Sequence, residues 1–137
     1  MVDSHVVLAR IDKIRECITK LNRLRSSDEE AFLNDEPACD SAERNIQIAI
    51  QAVIDIGNHL VADKDLGTPK DYKDIFRMLA QHGLIPEQLS AKLISMTGLR
   101  NVLVHDYLQV DRRMIYSILT AELAGFEEFI AAVLKFL

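Results

Sequence analysis

The chain has 137 residues, 49% of them apolar, which fits one domain able to bury a sizeable core. Only 5 glycines, 3 prolines and no tryptophan, against abundant leucine, isoleucine and alanine, argue against a turn-rich sheet protein and for an all-α domain over residues 1–137. A net charge of −5 excludes nucleic-acid binding by general attraction alone, so any such partner must meet a local basic pocket.

The opening "MVDSHVVLARIDKI" has no basic segment followed by an apolar run, so no secretory signal is expected. No apolar stretch approaches the roughly 20 residues of a membrane span. The expectation is a cytosolic chain with no membrane partner. A first helix is predicted over Ser4 to Arg25, capped by Asp3 or Ser4, with Val7, Ile11, Ile14, Ile18 and Leu21 as its buried stripe. It is rich in cations: Arg10, Lys13, Arg15, Lys20, Arg23 and Arg25. The following segment is acidic, and pattern alone reads the two as solvated faces. Ser27 followed by Glu30 resembles a capping box for a short helix ending near Asn34. Cys17 and Cys39 lack a close-spaced partner and read as reduced and structural.

A second long helix is expected after Asp40, with Glu43 completing its cap. Ile46, Ile50, Val53, Gly57 and Leu60 form its stripe. Gly57 inside a helix costs roughly 1 kcal/mol relative to alanine, which implies close approach of another helix or a local distortion. Asp55 and His59 lie one turn apart on the same face. Spacing alone makes them a local pair that holds the bundle. Thr68 and Pro69 predict the start of a third helix running to about His82, with Gly83 as its stop. His5 and His82 read as terminal or surface residues.

Pro86 opens the next helix, which carries Leu89, Leu93, Met96, Leu99 and Leu103 and ends near His105. A connection over Asp106 to Val110 leads to Asp111, the cap of a last helix with Ile115, Leu119, Phe126, Phe129, Ile130, Val133 and Leu137 on its apolar face. Arg112 and Arg113 oppose that helix's dipole, so they either face a partner or RNA phosphates or are simply exposed. The sum is an up-and-down bundle of four main helices with short additional ones.

"LRNVLVHDYLQV" (Leu99 to Val110) concentrates Arg100, Asn101, His105 and Tyr107 at the end of an otherwise apolar helix. Arginine presents a planar fork of donors suited to phosphate. Histidine titrates nearest neutrality and can take or give a proton. Asparagine can fix an orientation or a histidine tautomer. No carboxylate set for magnesium is evident. A metal site from Asp55, His59 and His105 lacks the Glu-x-x-His or His-x-x-x-His spacing expected of a bundle site. The chemistry favoured is metal-independent phosphodiester cleavage, with His105 acting on a ribose hydroxyl and Arg100 on the crowded phosphorane. The competing reading is structural, with Arg100 and His105 paired to acids of neighbouring helices.

"RNVLVHDY" resembles the R-x4-H-x-Y signature of the HepT-like branch of the HEPN superfamily, with Asn101 following the arginine. "ERNIQIAIQAVIDIGNHLV", "DYKDIFRMLAQHGLIP" and "MTGLRNVLVHDY" are similar to family segments in the same order. The resemblance implies a HEPN-like helical fold and an RNase toxin that needs no metal or other cofactor. It implies a homodimer, or a higher homo-oligomer built from it, with the Arg100 and His105 sets of two chains in one cleft. Only through the similar segment that holds them does it imply that Asp55 and His59 border that cleft and orient Arg100 or His105. It also implies an MNT-type nucleotidyltransferase antitoxin as partner, which transfers AMP to Tyr107. On the same fold, a non-catalytic module binding a nucleotidyltransferase or nucleic acid is the alternative.

Overall fold

The computed structural model describes residues 3–25, 28–105, 108 and 110–137. The described residues form seven helices: α1 (Ser4–Arg25), α2 (Glu29–Leu33), α3 (Glu36–Asp63), α4 (Tyr72–Gln81), α5 (Glu87–His105), α6 (Arg112–Ala121) and α7 (Leu123–Leu134). The chain is all-α, as its composition and periodicity imply.

α1 begins where Asp3 accepts hydrogen bonds from the backbone N–H groups of His5 and Val6. Its stripe of Val7, Ile11, Ile14, Ile18 and Leu21 is buried, joined by Cys17. Each such aliphatic side chain contributes about 1.5–3 kcal/mol on removal from water. α1 lies antiparallel to α3, because its first residues meet His59 near the end of α3 and Arg10 meets Asp55 farther back. α3 is the central element and packs against every other helix. Phe76 of α4 and Phe129 of α7 meet edge to face at 6.2 Å, and the ring of Phe32 sits 5.3 Å from that of Tyr116.

Local chemistry moves several boundaries from the sequence expectation. α3 starts at Glu36, not after Asp40, because the Asp35 side chain accepts from the N–H of Ala38 and caps the helix. Pro37 falls in its first turn, where a missing N–H leaves no helical bond unmade. α4 starts at Tyr72 behind Asp71, which accepts from the N–H of Asp74 at 2.8 Å, so Thr68 and Pro69 lie in the approach instead. Asp28 caps α2 through the N–H of Ala31; Ser27, named above for that role, lies outside the described residues. The last predicted helix is two, separated at Glu122, which makes no side-chain cap. Gly125 sits in the first turn of α7 so close to Met96 that a Cβ would come within 2.8 Å of the methionine methyl.

Two glycines act as the sequence implies. At Gly57 an added Cβ would stand 2.8 Å from Ile75 Cγ2 and 3.2 Å from the Phe76 ring, so α4 docks on α3 where there is no side chain. Gly83 takes φ +76° and ends α4, with the N–H of Leu84 reaching the Leu79 carbonyl. Cys17 and Cys39 are free thiols, both buried. Among the described residues no helix is long and apolar enough to cross a membrane.

Candidate active site

The last two turns of α5 carry the polar cluster. Upstream, α5 is firmly held: Leu89, Leu93 and Met96 are buried, the Ser90 hydroxyl donates to the Phe76 carbonyl, and Thr97 donates to the carbonyl of Ile94. Leu103 anchors the last turn in the core while Asn101 and His105 are exposed and Arg100 is half-buried.

Arg100 is fixed on three sides. Its Nε–H donates to Gln51 Oε1 at 3.1 Å, and Nη1 donates to Asn101 Oδ1 at 3.4 Å. Its Cζ stands 5.2 Å from the centroid of the Tyr72 ring, a cation–π contact. Gln51 cannot turn its amide round freely, because its Nε2 donates to Asp55 Oδ1 at 3.0 Å. Asp55 in turn lies 3.6 Å from Arg10 Nε, with its side chain 40% exposed. The sequence Arg10–Asp55–Gln51–Arg100 is one connected polar chain across α1, α3 and α5. It leaves the Nη2 donors of Arg100 unclaimed among the described residues, so the guanidinium can still donate to an oxyanion or phosphate.

The predicted site residues other than Tyr107 fall among the described residues. Asn101 touches Arg100 directly. Asp55 reaches Arg100 through Gln51, whereas His59, its neighbour one turn on, uses Nε2 to accept the backbone N–H of Asp3 at 3.2 Å and so serves the start of α1. Asp55 and His59 therefore do different work. His105 is the last residue of α5 and has no hydrogen-bond or ion-pair partner among the described residues. Among the described residues neither Arg100 nor His105 is paired with an acid. Tyr107 lies outside the described residues. Arg100 and His105 are five positions apart, about 7.5 Å of rise and roughly 140° of turn on an α-helix, so one chain offers them as two flanks of a site.

Sequence reasoning missed Gln51 and Tyr72. Gln51 follows four residues after Gln47 on a mixed face of α3, and Tyr72 opens α4. Neither carries a spacing that ties it to a residue near position 100. Arg112 also resolves: its Nη1 donates to the Leu33 carbonyl at 2.9 Å and ties α6 to the end of α2. Arg113 borders the shallow groove beside Glu29 and Glu30. Among the described residues no group of three or more His, Cys, Asp or Glu side chains is arranged to hold a metal ion. Asp55, His59 and His105 thus do not converge into such a site.

Comparison with known proteins identifies the family. The family model described as Ribonuclease HepT-like matches residues 14–133. A curated relative, the "mRNA nuclease HepT" of Shewanella oneidensis, is 35% identical over 125 residues, covering 91% of this chain and 93% of the relative. The "tRNA nuclease HepT" of Aphanizomenon flos-aquae is 21% identical over 136 residues, 99% of this chain and 92% of its own. Among solved structures, the tri-AMPylated Shewanella oneidensis HEPN toxin in complex with its MNT antitoxin superposes with a TM-score of 0.89 at 33% identity, over 97% of this chain and 99% of that one. A toxin–antitoxin assembly solved with AMP-PNP gives a TM-score of 0.89 at 32% identity, over 96% and 99%. On sequence and fold together, the chain belongs to the Ribonuclease HepT-like family.

Proposed function

We propose that this chain is the ribonuclease toxin of a toxin–antitoxin pair and that it cuts RNA by internal transfer, without a metal. The observation that carries the proposal is the anchored Arg100 at the same helix end as His105, with Nη2 of Arg100 and the His105 side chain unclaimed among the described residues. In the reaction a ribose 2′-oxygen attacks the adjacent phosphorus. The O2′–P bond forms, the P–O5′ bond breaks, and the products end in a 2′,3′-cyclic phosphate and a 5′-hydroxyl. An imidazole takes the 2′-hydroxyl proton and an imidazolium gives one to the departing O5′. Arg100 stabilises the charge that gathers on the non-bridging oxygens, and Gln51, Asn101 and Tyr72 hold it so that no reorganisation is needed then.

The step needs a base and an acid, and each chain carries one motif histidine. The active unit is therefore a homodimer in which a second copy supplies the other His105 and Arg100. The wide angular separation of the two side chains on one α5 supports the same arrangement. A sedimentation measurement that finds only monomer at the concentrations where RNA is cut contradicts it.

Control falls to an MNT-type nucleotidyltransferase. The Tyr107 oxygen attacks the α-phosphorus of ATP, pyrophosphate leaves, and the tyrosine carries AMP. The new anion beside the motif competes with RNA for Arg100. Incubation with the partner and ATP, followed by mass spectrometry, gives AMP additions on the peptide holding Tyr107 and none in Tyr107→Phe. Modification only at another residue rejects the assignment. A chain that binds RNA tightly yet never cuts it would be the non-catalytic module of the same fold.

A further inference from the structure

We infer that the groove between α1 and α3 is a second RNA site, which holds phosphates flanking the linkage being cut. The inference rests on the ribonuclease reading above. The groove has a volume of about 320 Å³ and is lined by Arg10, Lys13, Arg44, Gln47, Gln51 and Asp55 among others. Three cations against one carboxylate are concentrated there in a chain whose net charge is −5. Just outside the groove Lys13 pairs with Glu16 at 3.4 Å, and Lys13 and Lys20 together hold that exposed carboxyl below its ordinary value, so Lys13 is shared between Glu16 and the groove. Arg10 is pre-set by Asp55, and Arg44 has no hydrogen-bond or ion-pair partner among the described residues.

The groove is continuous with the Arg100 site. Gln51 lines it and also accepts from Arg100, so the cation ladder ends at the guanidinium that would meet the scissile phosphate. From Arg44 to Gln51 is seven residues of α3, about 10 Å of helix, a span of a few nucleotides of extended strand. Lys13 and Arg44 are exposed side chains outside the core, and neither touches Arg100, Asn101 or Tyr72 through any bond described above. They bind; they do not react.

The test uses Lys13→Glu/Arg44→Glu in the full-length protein. Binding is read by fluorescence anisotropy with a 2′-O-methyl oligoribonucleotide, which cannot be cut, and turnover is read with unmodified RNA. The double variant should bind about tenfold more weakly at low salt, and its log Kd against log salt slope should flatten by about 1.4 for two lost single-strand contacts. KM rises while kcat at saturating RNA stays within about twofold and the melting temperature is unchanged. Wild-type affinity and slope in the variant overturn the groove assignment while leaving the nuclease reading intact. So does normal RNA binding with loss of binding to the nucleotidyltransferase, which makes the groove a protein interface. A wild-type chain that neither binds nor cuts RNA overturns both.

Discussion

Replacing Gln51 with leucine separates a positioning role from a structural one. Leucine keeps the volume but removes the acceptor for Arg100 Nε at 3.1 Å and the donor to Asp55 at 3.0 Å. Hydrogen bonds to charged groups contribute about 1.5–3 kcal/mol when the site is dry. Here Asp55 is 40% exposed and Arg100 half-buried, so water replaces much of what is lost. The expected stability cost is about 1 kcal/mol, a fall of about 3 °C in melting temperature for a domain of this size. The effect on chemistry is larger, because a guanidinium displaced by about 1 Å from a reacting phosphate costs on the order of 100-fold. The assay is kcat on a short RNA beside a thermal melt of the same preparation. Gln51→Glu gives the contrast: it still accepts the Nε bond but neutralises the guanidinium and sets a second carboxylate against Asp55, so KM should rise as well. A kcat for Gln51→Leu within twofold of wild type refutes the claim that Gln51 fixes a catalytic Arg100.

Two glycine substitutions should part company in a thermal or urea melt. Gly57→Ala drives a Cβ to 2.8 Å from Ile75 and 3.2 Å from the Phe76 ring, and overpacking of about 1–3 kcal/mol outweighs the helical gain of about 1 kcal/mol. Gly125→Ala meets only the mobile Met96 methyl and the Lys92 stem, so it should be neutral or slightly stabilising; equal losses at both sites contradict the packing described. Burial pushes the Cys17 and Cys39 thiols up from their ordinary range. A raised folded value means that the unfolded chain releases its thiol protons first. Stability is thus fully present below about pH 8.5 and falls as pH rises beyond it. Denaturant melts across pH 8–10 should show that decline, and Cys17→Ala should flatten it; an unchanged slope argues against the burial mechanism.

How far the sequence could be read depended on whether a signal was local. The stripe of α1, the stop at Gly83, the cap at Asp111 and the close approach at Gly57 all follow from residues within a turn or two of one another, and the structure has them. The start of α3 was obscured by Pro37, which reads as a break yet sits harmlessly in a first turn behind Asp35. The division between α6 and α7 falls at Glu122, which makes no side-chain cap, so no local signal marks it in the sequence. The site shows the same contrast. Arg100, Asn101 and His105 stand out because they interrupt an apolar helix. Gln51 is 49 positions from Arg100 and has the composition of any solvated helix face, so only the packed bundle shows that it holds the arginine. Asp55 and His59 looked alike by spacing, and tertiary contacts send one towards Arg100 and the other to the start of α1.

The central claim is that Arg100 and His105 cut RNA by internal transfer. The direct measurement is the chemistry of the cut ends, made on RNA incubated in excess chelator with the wild-type chain, Arg100→Ala and His105→Ala, each shown by circular dichroism to keep the helical fold. The account expects 2′,3′-cyclic phosphate and 5′-hydroxyl ends from the wild type and no cleavage above background from either variant. Full activity in His105→Ala, or cleavage by the wild type only when a divalent metal is restored, contradicts it.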